Sequence, residues 1–91
     1  MDNTLVTDEE LARIEKSLEA LTPGPWAAYL EGRDHTSGSD FIMTGPADAR
    51  GPDFELLGAT KADYDFIAAS RQIVPRLIAT VRFLQSERHR Q

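Results

Sequence analysis

The chain has no cysteine. That excludes a disulfide framework, a thiolate metal site and a cysteine nucleophile. Its only imidazoles are His35 and His89, too few for a site built on several histidines. Neither GxxxxGK[ST] nor GxGxxG occurs, so the glycine-rich phosphate cradles are missing. No apolar run approaches the roughly 20 residues of a membrane helix. Residues Met1 to Glu10 hold four acids and no basic side chain, unlike the basic and apolar start of a secretory leader. No membrane contact is expected, and the expected location is the cytoplasm. Internal repeats and low-complexity tracts are also lacking.

What remains is a chain of 91 residues, 41% apolar and 27% charged. That composition fits a folded domain better than a disordered tail, and the length suits a single domain over residues 1–91. The net charge of −5 argues against a general nucleic-acid binder, which must offset phosphate charge. The charge is unevenly placed. Residues 1–65 carry five basic and fourteen acidic side chains, net −9, and residues 66–91 carry five basic and one acidic, net +4. The positive end includes Arg71, Arg76, Arg82, Arg88 and Arg90, and it suits the C-terminal end of a helix dipole.

Leu11, Ile14, Leu18 and Leu21 recur at helical spacing, which predicts a first helix over about Asp8 to Ala20. Thr7 and Glu10 form a capping-box pattern at its start. Arg13, Glu15, Lys16 and Glu19 fall off the apolar stripe and are expected in solvent. Thr22-Pro23-Gly24-Pro25 then stops the helix. Trp26 to Leu30 alternates as a strand, with Trp26, Ala28 and Leu30 on one face. Trp26 is expected to pack across a helix–sheet seam. Phe41–Thr44 and Phe54–Leu57 are two further strand candidates, separated by polar loops with Gly, Ser and Pro.

A second capping pattern, Thr60 with Asp63, opens a helical segment with a broad apolar band from Ala62 to Leu84. Pro75 interrupts it, but the band continues in phase, predicting one kinked helix. The expected fold is therefore α+β: an N-terminal helix, a small antiparallel three-stranded meander, and a long C-terminal helix kinked at Pro75.

The densest polar cluster is Arg33, Asp34, His35, Ser37, Ser39 and Asp40. A serine, His35 and Asp40 supply the residue types of a nucleophile, base and acid. They lie on one short loop, however, where catalytic geometry is hard to hold. No catalytic residue, metal or cofactor is assigned. A pocket near Trp26, Tyr29 and His35 is the place to seek a small ligand. Val74, Leu77, Ile78, Val81 and Leu84 carry an apolar stripe toward the chain end, which would serve a homodimer if uncovered.

Two blocks together resemble the small Ead-like proteins of phages, prophages and bacterial genomes. They are Leu21-Thr22-Pro23-Gly24-Pro25-Trp26 and the segment from Ala62-Asp63-Tyr64-Asp65-Phe66-Ile67-Ala68-Ala69-Ser70 through Val74-Pro75-Arg76-Leu77-Ile78 to Leu84. The resemblance implies a helix, a TPGPW-type turn, a variable strand-rich middle and an FIA…VPxL helix. It covers both ends, implies no catalytic residues, and leaves Glu31 to Leu57 without a counterpart.

The expected function is a non-enzymatic acidic protein that binds and blocks a partner protein, such as a basic toxin or a host enzyme. An immunity, antitoxin-like or phage-inhibitor role fits that description. An acidic face speeds association with a basic cleft. Glu31, Asp34, Asp40, Asp48, Asp53 and Glu55 are the expected contacts, with Arg33 and His35 orienting them. The alternative is a homo-oligomeric phage or prophage accessory scaffold assembled through the last helix.

Overall fold

The computed structural model describes residues 5–89. Its elements are α1 (Asp8–Glu19), β1 (Trp26–Tyr29), β2 (Phe41–Thr44) and α2 (Lys61–His89). The chain forms two compact units. One holds the described residues up to Leu21 and from Pro75 onward, and the other is Thr22–Val74. The expected α+β class is found, with a helix, an antiparallel hairpin and a long C-terminal helix. Pro75 lies inside α2 and does not divide it. Met1 to Thr4 and Arg90 lie outside the described residues.

In the first unit, α1 starts as its sequence predicts. The Glu10 amide donates to Thr7 Oγ1 at 3.1 Å, and the Thr7 amide donates to Glu10 Oε1 at 2.9 Å. Leu11 on α1 and Ile78 on α2 are buried. Glu15 lies off the buried stripe as expected and is also paired. Arg82 donates to its two carboxylate oxygens at 2.6 and 3.3 Å. Gln85 adds a bond of 2.9 Å to Asp8. These pairs join α1 to the last turns of α2 in antiparallel order.

In the second unit, β1 and β2 pair antiparallel with Trp26 opposite Thr44 and Tyr29 opposite Phe41. Side chains alternate between faces. Leu30 and Ile42 enter the core with Tyr64 and Ala68 of α2, and Trp26, Ala28, Phe54, Leu56 and Ala59 pack around them. Trp26 occupies the expected helix–sheet seam. Its ring meets Phe54 edge-on at 5.2 Å. Its backbone amide donates to Gln72 Oε1 at 2.7 Å, and Gln72 Nε2 donates back to the Trp26 carbonyl at 3.2 Å. A side-chain amide thus stands where a further strand would pair, which closes that edge of β1. Arg71 belongs to the same seam: it donates to the Thr22 carbonyl at 3.2 Å and lies 5.9 Å from the Trp26 ring centre.

The third strand expected at Phe54–Leu57 is not formed. Only one antiparallel bridge exists there, Ile42 with Phe54, each amide donating to the other's carbonyl at 2.8 Å. The neighbouring ladder positions are already used. Pro52 has no amide hydrogen, and its carbonyl accepts from Thr44 Oγ1 at 2.6 Å. On the other side, the Leu56 amide donates to Tyr64 Oη at 2.7 Å, and Tyr64 Oη donates to the Leu56 carbonyl at 3.3 Å. A buried tyrosine therefore replaces a strand partner.

Candidate functional site

The candidate residues fall on two stretches of the second unit: the β1–β2 connection (residues 30–40) and the segment after β2 (residues 45–57). Their local structure separates them into two kinds.

The connection is held by its own charges. Asp34 Oδ2 accepts the Leu30 amide at 2.8 Å and Arg33 Nε at 3.0 Å. Arg33 continues to Asp65 on α2, with Nη1 and Nη2 donating at 2.8 and 3.0 Å. Asp40 Oδ1 accepts the Glu31 amide at 2.7 Å and Lys61 Nζ at 2.9 Å. Lys61 also donates to the Glu31 carbonyl at 3.1 Å. Glu31 Oε2 accepts the Gly38 amide at 2.8 Å. Gly32 and Gly38 have φ of +86° and +106°, the region that glycine enters without strain.

These bonds stabilise the ionised forms. The Arg33 guanidinium, and then the Leu30 amide, hold the Asp34 carboxyl below its usual range. Lys61, and then the Glu31 amide, do the same for Asp40. Arg33 is held protonated more firmly than usual by Asp65 and Asp34.

On the face of the hairpin away from the core, Tyr29 stacks on Phe41 at 5.8 Å, and His35 leans on Phe41 at 5.2 Å. His35 Nδ1 lies 3.0 Å from the Ser37 amide and 2.7 Å from Ser37 Oγ, and Nε2 lies 3.3 Å from the Tyr29 carbonyl. A serine–histidine pair is therefore present. Its second ring nitrogen faces a backbone carbonyl, not the carboxylate that orients the base of a triad.

Asp48, Asp53 and Glu55 differ from this group. All three are exposed, and they make no hydrogen bond or ion pair among the described residues. The backbone beneath them is nevertheless fixed. Arg50 Nη1 donates to the Gly45 carbonyl at 2.7 Å, and the Gly51 amide donates to the Thr44 carbonyl at 2.9 Å. Glu55, Asp40, Ser39, Ala59 and Tyr64 border an open hollow beside Leu57, whose side chain is wholly exposed.

Asp65, Lys61 and Tyr64 matter to this region and were not among the sequence candidates. Asp65 and Lys61 lie 32 and 21 positions from the residues they bind, so no local spacing announces them. Among the described residues, no group of three or more His, Asp or Glu side chains is placed to hold a metal ion, and no helix is long and apolar enough to cross a membrane. Compared with known protein families, curated proteins and solved structures, the chain matches none.

Proposed function

We propose that this chain is a non-enzymatic binding protein that blocks a basic partner protein, through an acidic surface formed by the segment after β2. The observation that carries the reading is the division among the candidate carboxylates. Glu31, Asp34 and Asp40 are spent on holding the β1–β2 connection, whereas Asp48, Asp53 and Glu55 are exposed and unpaired on a fixed backbone. Leu57 adds an exposed apolar side chain next to Glu55, the kind of group that anchors a contact when a partner buries it. The carboxylates steer association, and the apolar contact slows dissociation. An immunity or antitoxin-like role, or inhibition of a host factor by a phage protein, is the biological form proposed. The resemblance to Ead-like proteins is compatible with it, since the residues that carry it lie in the turn and in α2, outside Glu31 to Leu57.

The test begins with capture of a partner from the native host and its preparation in pure form. Affinity is then measured against salt for the natural chain and for Asp53→Lys with Glu55→Lys. The reading expects weaker binding and a shallower salt dependence in the variant. Equal affinity and equal salt slope would reject it.

A second reading has its own support in the first unit. Leu77 and Leu84 are more than half exposed, at 56% and 59%, and Val81 stands at 39%. These residues share one face of α2 by their spacing. A homo-oligomeric scaffold assembled through that face would show mass rising with concentration in sedimentation, and Leu77→Glu would abolish the rise. A monomer at every concentration removes this reading.

A further inference from the structure

His35 has both ring nitrogens engaged, and the Ser37 amide fixes which of them carries the proton in this arrangement. The Ser37 amide points its hydrogen at Nδ1 from 3.0 Å. An amide nitrogen only donates, so Nδ1 accepts and carries no proton. Nε2 then bears the ring hydrogen and donates to the Tyr29 carbonyl at 3.3 Å. The ring is neutral in this arrangement and rests on Phe41, with its side chain 17% exposed. Glu31 Oε2 lies 3.3 Å from the same Nδ1 while accepting the Gly38 amide at 2.8 Å. In the neutral state the Ser37 hydroxyl, 2.7 Å away, donates to Nδ1, while the carboxylate oxygen and the unprotonated nitrogen have no proton to share between them.

A second proton reverses this. A cationic imidazole donates from both nitrogens. The Ser37 amide then loses its acceptor, and Nδ1 faces two oxygens that accept, Ser37 Oγ at 2.7 Å and Glu31 Oε2 at 3.3 Å; the bond to the carboxylate is charge-assisted and the stronger of the two kinds.

We propose that His35 is a proton-operated latch on the β1–β2 connection. When neutral it binds the Ser37 amide and fixes the turn at residues 36–38. When protonated it releases that amide and binds Glu31. An unperturbed imidazole changes charge between about pH 5 and 8.

The surrounding charges agree with this assignment. β1 presents the Tyr29 carbonyl, and β2 presents the Phe41 ring. Within the connection, Asp34 and Asp40 are close enough for a His35 cation to favour their ionised forms. Arg33 and Lys61 already pair with those two carboxylates, and on α2 Asp65 is taken by Arg33. Glu31 is the carboxylate that touches the ring, so Glu31 selects between the two states.

The test is an NMR titration of the free full-length chain between about pH 5 and 8, reading the His35 ring nitrogens and the Ser37 amide proton, with His89 as an internal comparison. At the upper end, Nε2 should carry the proton and Nδ1 should not. As the ring protonates, the Ser37 amide proton should move upfield with the same midpoint as the ring. In His35→Asn, whose Oδ1 is a non-titrating acceptor, the Ser37 signal should stay flat. In Glu31→Gln the ring midpoint should fall, because the cation loses its carboxylate. A Ser37 amide that stays still while the natural ring titrates would overturn the proposal. So would a proton on Nδ1 at the upper end, or an unchanged midpoint in Glu31→Gln. The measurement needs no partner, so its outcome is separate from that of the acidic-surface reading.

Discussion

Arg33 and Asp65 stand 32 positions apart and meet through paired hydrogen bonds of 2.8 and 3.0 Å. Two parallel bonds fix both the distance and the orientation of a guanidinium on a carboxylate. Arg33 also binds Asp34 at 2.9 Å, and Asp34 in turn accepts the Leu30 amide. One cation thus ties the end of β1 to the first turns of α2. The densest polar cluster in the sequence is thus fastened internally, while Arg33, Asp34, Ser37 and Ser39 stay exposed.

The fastenings make stability depend on acid. Asp34 and Asp40 have carboxyls held below their usual range by Arg33 and Lys61. Glu10 is lowered by the Thr7 amide and Glu15 by Arg82. In the unfolded chain these groups titrate near about 4, so at acid pH the unfolded state binds more protons than the folded one. Stability rises with pH wherever that holds. The contribution is complete above the unfolded values and is lost as pH falls through the folded ones. Urea midpoints measured from pH 7 to pH 3 should be level at first and then drop below about pH 4. Asp40→Asn should flatten the drop. A midpoint constant to pH 3 would contradict the assignment.

Tyr64 replaces a missing strand for Leu56, bonding both its amide and its carbonyl. Tyr64→Phe keeps the ring in the core and deletes only the hydroxyl. It should cost about 1–3 kcal/mol in urea unfolding, the range for leaving buried backbone groups without partners. A cost near zero would mean that water serves Leu56 equally well.

Gly45 has φ of +84°, and a Cβ built there would lie 2.6 Å from the Ala49 carbonyl oxygen. Gly45→Ala should therefore destabilise by about 1–3 kcal/mol through backbone strain and crowding. Gly58 provides the comparison: its φ is +80°, but a Cβ there meets nothing within 4 Å. Gly58→Ala should cost less than Gly45→Ala, and the difference between the two unfolding midpoints measures the crowding alone.

Gln72 closes the outer edge of β1 at Trp26. Gln72→Ala should lower stability by about 1–3 kcal/mol, since the Trp26 amide loses its acceptor. It should also expose an edge that templates pairing between chains. Light scattering that rises with concentration in the variant, and not in the natural chain, checks the second effect.

The helices and hairpin were readable because their signals are local. Thr7 with Glu10 and Thr60 with Asp63 announce helix starts from neighbours three positions apart, and both reciprocal caps are formed. Trp26, Ala28 and Leu30 alternate onto the core side as a strand should. Phe54–Leu57 misled because its apolar composition fits a strand, while its hydrogen bonds go to Tyr64, and Pro52 cannot extend the ladder. The candidate site was legible only as a cluster of residue types. Which carboxylates are spent and which are free is decided by Asp65 and Lys61, remote partners that no spacing within the loop reveals. Glu15 stays accessible to solvent as expected, but its pairing with Arg82, 67 positions away, has no local signal either.

The candidate carboxylates divide into those that hold the fold and those left exposed and unpaired. Urea unfolding at pH 7 of five single variants separates the two groups: Asp34→Asn, Asp40→Asn, Asp48→Asn, Asp53→Asn and Glu55→Gln. Midpoints should fall for the first two and stay unchanged for the other three. Equal midpoints across all five, or a loss at Asp53 and Glu55 as large as at Asp34 and Asp40, would contradict this division.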